Sequence, residues 1–170
     1  MNGNILYKMS NSKNWKMISN NYAINSNDEL YYLETLQKIS DFKSCNYLIG
    51  NYALTVDNEL YYLNGTNLPQ KIEDNNWKSI SNNYVLNLYG KIYKFNSSNI
   101  SLISGNNLNF TSLFYNYALN SNYELYYLNE NIIQPVYEDN NWKSISNKYA
   151  INLNNELYYL NENNQPEKIG

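Results

Sequence analysis

The strongest constraint on this chain is that it repeats itself. The ten residues Glu73 to Asn82 recur letter for letter from Glu138 to Asn147. Glu-Leu-Tyr-Tyr-Leu begins at Glu29, Glu59, Glu124 and Glu156, and the third copy varies it as Lys91-Ile92-Tyr93-Lys94-Phe95. Its apolar position steps through Leu30, Leu60, Ile92, Leu125 and Leu157, and an earlier tyrosine keeps register at Tyr22, Tyr52, Tyr84, Tyr117 and Tyr149. The period of about 32 residues marks one small supersecondary unit used five times, each covering its neighbour's apolar surface.

Within a copy the apolar runs are short. In the third they are Pro69–Ile72, Trp77–Ile80, Tyr84–Leu86 and Lys91–Phe95. The last two flank Asn87-Leu88-Tyr89-Gly90, a segment matched by Asn25–Asp28, Thr55–Asn58, Asn120–Tyr123 and Asn152–Asn155. Asn, Asp and Gly tolerate positive φ and bond to their own backbone, so these segments predict tight hairpin turns. Short runs rich in Tyr, Ile and Leu between such turns predict strands, and none reaches helical length. Side chains alternate across a strand, so Leu30 and Tyr32 share one face while Tyr31 and Leu33 share the other. Neither face is polar, so each sheet needs cover on both sides, which radially stacked blades supply.

The expected fold is therefore all-β: a five-bladed β-propeller with four short strands per blade, forming a single domain over 1–170. The repeats are placed at about 5–33, 36–63, 69–95, 100–128 and 135–160, with a surplus strand over 166–169. For that strand three roles stand open: capping an edge, pairing with a neighbouring chain, or displacing the N-terminal strand.

Composition removes several function classes. There is no histidine, and lysine supplies all 12 basic residues, so arginine is absent too. That leaves no imidazole base, Ser-His or Cys-His pair, imidazole metal ligand or guanidinium clamp for phosphate. A net charge of −3 gives no electrostatic attraction to nucleic acid or an anionic membrane. One cysteine, Cys45, forms no internal disulfide framework. No run approaches the roughly 20 apolar residues of a membrane-spanning helix. The opening Met1-Asn2-Gly3-Asn4 lacks a basic region followed by an apolar run, so no signal peptide is read. Virion or cytoplasm is the expected location.

Two rings of equivalent residues stand out. Trp15, Trp77, Phe110 and Trp142, with Cys45 in the same register, form an expected structural ring filling the wedge between blades. Exposed, the same aromatics would stack on sugars. Glu29, Glu59, Glu124 and Glu156, broken by Lys91, read as charged residues beside each hairpin. Single carboxylates do not meet the oxygen count of a calcium site, and no acid pair stands apart from the repeat. No catalytic, cofactor-binding or metal-binding residue is expected.

The stretch Trp142–Ile151, followed by Glu156–Leu160 and Pro166–Ile169, resembles the repeat of the regulator-of-chromosome-condensation family. The resemblance covers essentially the whole chain. It departs where the family has a Gly-His pair, where its aromatic strand ends in Trp-Gly, and in the shorter length of each copy. It implies a propeller used as a protein-binding platform, and not nucleotide exchange or chromatin binding. A low-GC bacterium or its bacteriophage is the source that the resemblance and the composition suggest.

The expected function is a non-catalytic structural module that docks on a larger protein assembly, such as the capsid or tail of a phage virion, with no cofactor. The alternative is a lectin-like propeller that binds a glycan. Docking is expected on the least regular side, at Asp41–Gly50 (Cys45 and Tyr47) and at the Asn96–Leu108 connection (Asn96, Ser98, Asn99 and Ser101).

Overall fold

The computed structural model describes residues 14–41, 44–73, 76–105, 107–136 and 141–169. These form twenty strands and no helix, arranged as five four-stranded antiparallel sheets. The first sheet holds β1 (Trp15–Ser19), β2 (Tyr22–Asn25), β3 (Glu29–Tyr32) and β4 (Gln37–Asp41). The second holds β5 (Cys45–Ile49), β6 (Tyr52–Thr55), β7 (Leu60–Tyr62) and β8 (Gln70–Ile72). The third holds β9 (Trp77–Ser81), β10 (Tyr84–Asn87), β11 (Ile92–Asn96) and β12 (Asn99–Leu102). The fourth holds β13 (Phe110–Phe114), β14 (Tyr117–Asn120), β15 (Leu125–Asn129) and β16 (Ile132–Pro135). The fifth holds β17 (Trp142–Ser146), β18 (Tyr149–Asn152), β19 (Leu157–Leu160) and β20 (Pro166–Lys168). Each sheet is a simple meander in chain order.

The sheets are cut from the repeat in a different phase from the one expected. Pro69–Ile72 was assigned to the copy that begins before Trp77, yet Gln70 to Ile72 pairs backward, Leu60 with Ile72 and Tyr62 with Gln70. Asn99–Leu102 likewise pairs with β11 and closes the third sheet. The strand over 166–169 is thus not surplus among the described residues: β20 is the fourth strand of the fifth sheet. Ile5–Met9 lies outside the described residues.

Two local devices recur. The first strand of every sheet carries a register shift directly after its ring residue, between Trp15 and Met17, Cys45 and Tyr47, and Phe110 and Ser112, for example. A bulge of this kind inserts one residue and re-aims the side chains that follow. It is why Trp77 and Ile80, three apart, enter the same apolar cluster. The β2–β3 turn and its equivalents each end on a residue with left-handed φ: Asp28 at 58°, Asn58 at 62°, Gly90 at 73°, Tyr123 at 63° and Asn155 at 62°. Asn, Asp and Gly adopt this conformation at low cost, and Tyr123 is the exception.

Successive sheets pack face on face. One face of a sheet offers the tyrosine and branched residue of its second strand and the leucine of its third. The following sheet answers with its ring residue, the apolar residue three further on, and the small residue of its second strand. Tyr22, Ile24 and Leu30 thus meet Cys45, Leu48 and Ala53, and Tyr52, Leu54 and Leu60 meet Trp77, Ile80 and Val85. Tyr84, Leu86 and Ile92 meet Phe110 and Ala118, and Tyr117, Leu119 and Leu125 meet Trp142 and Ala150. Fully burying one such Leu or Ile contributes about 1.5–3 kcal/mol, so the four junctions hold the array together. Cover on both faces, anticipated from the alternation in Glu-Leu-Tyr-Tyr-Leu, is present in the three middle sheets.

Candidate functional site

Four of the five ring residues lie inside these junctions, and Trp15 stands on the uncovered face of the first sheet. Trp77, Phe110 and Trp142 are buried, Cys45 is buried in the same register, and Trp15 is half-buried. Each aromatic meets edge-on the tyrosine of its own sheet's third strand, at 5.2–5.5 Å between ring centres. The indole nitrogens of Trp77 and Trp142 are buried and have no hydrogen-bond partner among the described residues. The buried rings of Trp77, Phe110 and Trp142 have no free face for a sugar. Cys45 is equally enclosed: its Sγ donates to the Tyr47 carbonyl at 2.9 Å and the Leu54 carbonyl at 3.4 Å, and burial pushes the thiol up to about 11.

The glutamate ring is a set of local clasps. Glu29 Oε2 accepts from Asn25 Nδ2 at 2.6 Å and from the Tyr31 hydroxyl at 3.1 Å, while Oε1 accepts from Lys38 at 2.7 Å. Glu156 repeats this with Asn152 at 2.7 Å, Tyr158 at 3.1 Å and Lys168 at 2.6 Å. Asn25 in turn accepts the backbone N–H groups of Asn27 and Glu29, each at 3.0 Å, tying off the hairpin. The lysine first, then the asparagine and tyrosine, hold Glu29 and Glu156 down to about 2. Glu59 keeps Tyr61 and Lys71 but has Thr55 in place of the asparagine. Glu124 keeps Asn120 and Tyr126, and Pro135 stands opposite Tyr126 where the fifth sheet pairs Tyr158 with Lys168. Lys91 donates instead to the carbonyls of Gly105 at 3.1 Å and Leu108 at 3.4 Å. No group of three or more acidic or thiol side chains suited to a metal ion occurs among the described residues.

The segments expected to dock are more regular than their sequence suggests. The first part of the Asn96–Leu108 connection is regular: Asn96 and Asn99 pair across a two-residue turn and Ser101 pairs with Lys94, while 103–105 and 107–108 belong to no strand. The Ser97 carbonyl in that turn accepts the Tyr52 hydroxyl of the second sheet at 2.6 Å. Asn96, Asn99 and Ser101 are exposed, Ser98 is half-buried and Tyr47 is exposed. Cys45 is buried and faces into the first junction.

A different exposed surface lies outside the segments expected to dock. The turns joining second to third strands carry Val56, Leu88, Tyr89, Tyr123 and Leu153, all exposed apolar or aromatic side chains. In every sheet these turns leave the end opposite the other two hairpins, so they form a rim. The available signal was large apolar residues inside Asn-bounded turns, where polar residues are the rule.

Two polar clefts open between sheets on the other side. One of about 300 Å³ is lined by Asn20, Asn51, Tyr52, Tyr62 and Asn83 among others, and one of about 220 Å³ by Asn116, Tyr117, Tyr127, Lys148 and Asn164. Their amides and hydroxyls are partly engaged already: Asn82 Nδ2 donates to Asn116 Oδ1 at 2.6 Å and the Tyr117 hydroxyl to Asn164 at 2.5 Å.

No family model and no curated protein matches the chain. Among the described residues no helix is long and apolar enough to cross a membrane.

Proposed function

We propose that the five sheets are the blades of a β-propeller and that the chain is a non-catalytic module docking on a larger protein assembly, such as a virion shell or tail. The observation that carries this reading is the use of the repeated chemistry for the fold itself. The aromatic ring fills the junctions, and the glutamates clasp their own hairpins. What remains for a partner is surface. The rim of Val56, Leu88, Tyr89, Tyr123 and Leu153 offers exposed apolar side chains with two tyrosines among them, a residue type enriched at the hot spots of protein–protein contacts. The repeat's likeness to the chromosome-condensation regulator family, whose propellers act as platforms, supports the same reading.

The test is co-sedimentation with large assemblies of the source organism, or its virions, for wild type and for Leu88→Ser/Tyr89→Ser/Tyr123→Ser. Wild type pellets with one assembly, and the triple variant stays in the supernatant with its thermal midpoint unchanged. Wild type that binds no assembly, or a variant that binds as well, refutes the reading.

A glycan-binding module is the second reading, favoured only by the two clefts, where amides and tyrosines, joined in the second by Lys148 and Glu162, suit a polyhydroxyl ligand. Binding on a glycan array that is lost in Asn83→Ala or Asn164→Ala would replace docking with sugar recognition.

A further inference from the structure

The four junctions inside the chain are built alike, and the two ends of the array carry the unmatched halves of the same junction. Tyr22, Tyr52, Tyr84 and Tyr117, with the branched and leucine positions beside them, are at most 9% exposed. The fifth sheet presents the same three positions bare: Tyr149 is 48% exposed, Ile151 36% and Leu157 39%. At the other end, Leu48 and Ile80 are 8% and 4% exposed where they receive the preceding sheet, whereas Ile18 is 66% exposed. An apolar hollow of about 200 Å³ opens there, lined by Trp15, Lys16, Met17, Ile18 and Leu33. Leaving large apolar side chains bare at both ends forgoes the stabilisation that each internal junction gains.

We propose that a second copy of this chain covers each end, its first sheet seating on the fifth sheet of its neighbour. The occupant follows from continuity with the internal junctions, since the two bare faces are the halves that already fit together four times. Polar detail matches as well. In each junction the tyrosine hydroxyl bonds to the left-handed residue of the next sheet's last hairpin. It accepts from Gly65 N at 2.7 Å, donates to the carbonyls of Ser97 at 2.6 Å and Glu130 at 3.3 Å, or reaches Asn164 Oδ1 at 2.5 Å. Leu36, with φ of 54°, holds that position in the first sheet and becomes the partner of Tyr149 in the neighbouring copy. In three of the four junctions the last residue of the β2–β3-type turn accepts from the next ring residue's N–H: Asn58 from Trp77 at 3.2 Å, Gly90 from Phe110 at 3.0 Å and Tyr123 from Trp142 at 2.9 Å. Asn155 and Trp15 supply that pair between chains. Two different faces meeting head to tail make a heterologous contact, which propagates until it closes into a ring or runs on as a filament. The inference rests on the blade reading, with closure occurring between chains rather than within one, but not on the docking rim.

The experiment is light scattering behind size exclusion, over about 1 µM to 1 mM, the span of ordinary protein–protein affinities. It compares the 170-residue chain with Ile18→Glu and Leu157→Glu. Both positions are solvent-exposed in the single chain, so each variant folds with a thermal midpoint within about 2 °C of wild type, as surface substitutions do. Wild type is expected to grow in mass with concentration and each variant to remain a monomer. An equimolar mixture of the two variants is expected to form one dimer that grows no further, because one variant keeps an intact fifth sheet and the other an intact first. Should either glutamate variant unfold, Tyr149→Ala provides the same reading with a milder change. Wild type that stays monomeric throughout overturns the inference. If the tyrosyl at 149 is then also shielded from solvent, the ring closes within one chain and the blade reading survives. Oligomers indifferent to both variants overturn it equally, by assigning association to another surface.

Discussion

Trp77 offers the sharpest perturbation of the junctions. Its side chain is fully buried among Tyr52, Leu54, Leu60, Ile80 and Val85, with Tyr93 edge-on at 5.2 Å. Truncation to alanine removes the whole ring and leaves a cavity that two twisted sheets cannot fully collapse. Emptying a buried aromatic site costs about 3–5 kcal/mol. One feature works against the upper end of that range. The indole N–H has no partner among the described residues, and an unsatisfied buried donor destabilises the native state by about 1–3 kcal/mol. Removing it recovers part of that, so Trp77→Ala is expected to cost about 3 kcal/mol. Trp77→Phe keeps a ring, sheds the unpaired N–H and copies Phe110, which is buried in the equivalent place. Its expected cost is about 1 kcal/mol or less. Urea titration followed by both circular dichroism and tyrosine fluorescence measures this, with coincident curves checking that the array unfolds as one unit. The midpoint should fall at unchanged slope. A loss below about 1 kcal/mol for alanine would mean that the ring is not buried between sheets. Equal losses for alanine and phenylalanine would mean that the indole N–H has a partner after all.

Three further outcomes follow from the titratable groups. Glu29 and Glu156 have folded values near 2 against an ordinary 4.5, so their clasps stabilise fully above about pH 4.5 and are lost as pH falls toward 2; an acid unfolding series should show that limb flattened in Glu29→Gln/Glu156→Gln. Burial raises Tyr52 to about 12, so the stability it confers is complete below its ordinary value of 10 and fades as pH rises through 12; in an absorbance titration of tyrosinate it ionises among the last, and Tyr52→Phe removes that late step. The Cys45 thiol, raised to about 11, should resist a disulfide thiol reagent at mildly alkaline pH and react at once on unfolding in urea; prompt reaction in the native protein would place it at the surface.

Much of the fold was legible because the repeat carries it openly. The tyrosine and leucine registers fix the strand pair β2–β3 and its equivalents, and the Asn-bounded turns fix the hairpin between them. Burial of Trp77, Phe110 and Trp142 also followed from the sequence, since Phe and Cys replace Trp there without disturbing the spacing. The phase of each sheet did not follow. A four-strand meander repeated in tandem can be cut at any strand, and only hydrogen bonding decides. Spacing around the third copy misleads: Leu63 to Pro69 separates Gln70–Ile72 from its true partner, while only Glu73–Asn76 separates it from Trp77. The fourth sheet is clearer, because β15 and β16 are joined by the two-residue turn Glu130–Asn131. The glutamate clasps were hidden for another reason. Glu29, Asn25 and Lys38 come from a strand, its turn and the following strand, and their meeting depends on the same phase. The bare end faces were wholly illegible, since Tyr149 and Ile18 carry the same letters as residues that are buried or apolar elsewhere in the repeat.

The aromatics repeated at Trp77, Phe110 and Trp142 sit inside the junctions and serve the fold. Tryptophan fluorescence of Trp77-only and Trp142-only proteins, with the other two tryptophans replaced by phenylalanine, reads out that burial. Blue-shifted emission is expected from both, with poor quenching by iodide and acrylamide and no change on adding sugars. Solvent-like emission that iodide quenches as readily as free tryptophan, or a spectral shift on adding a glycan, would contradict it.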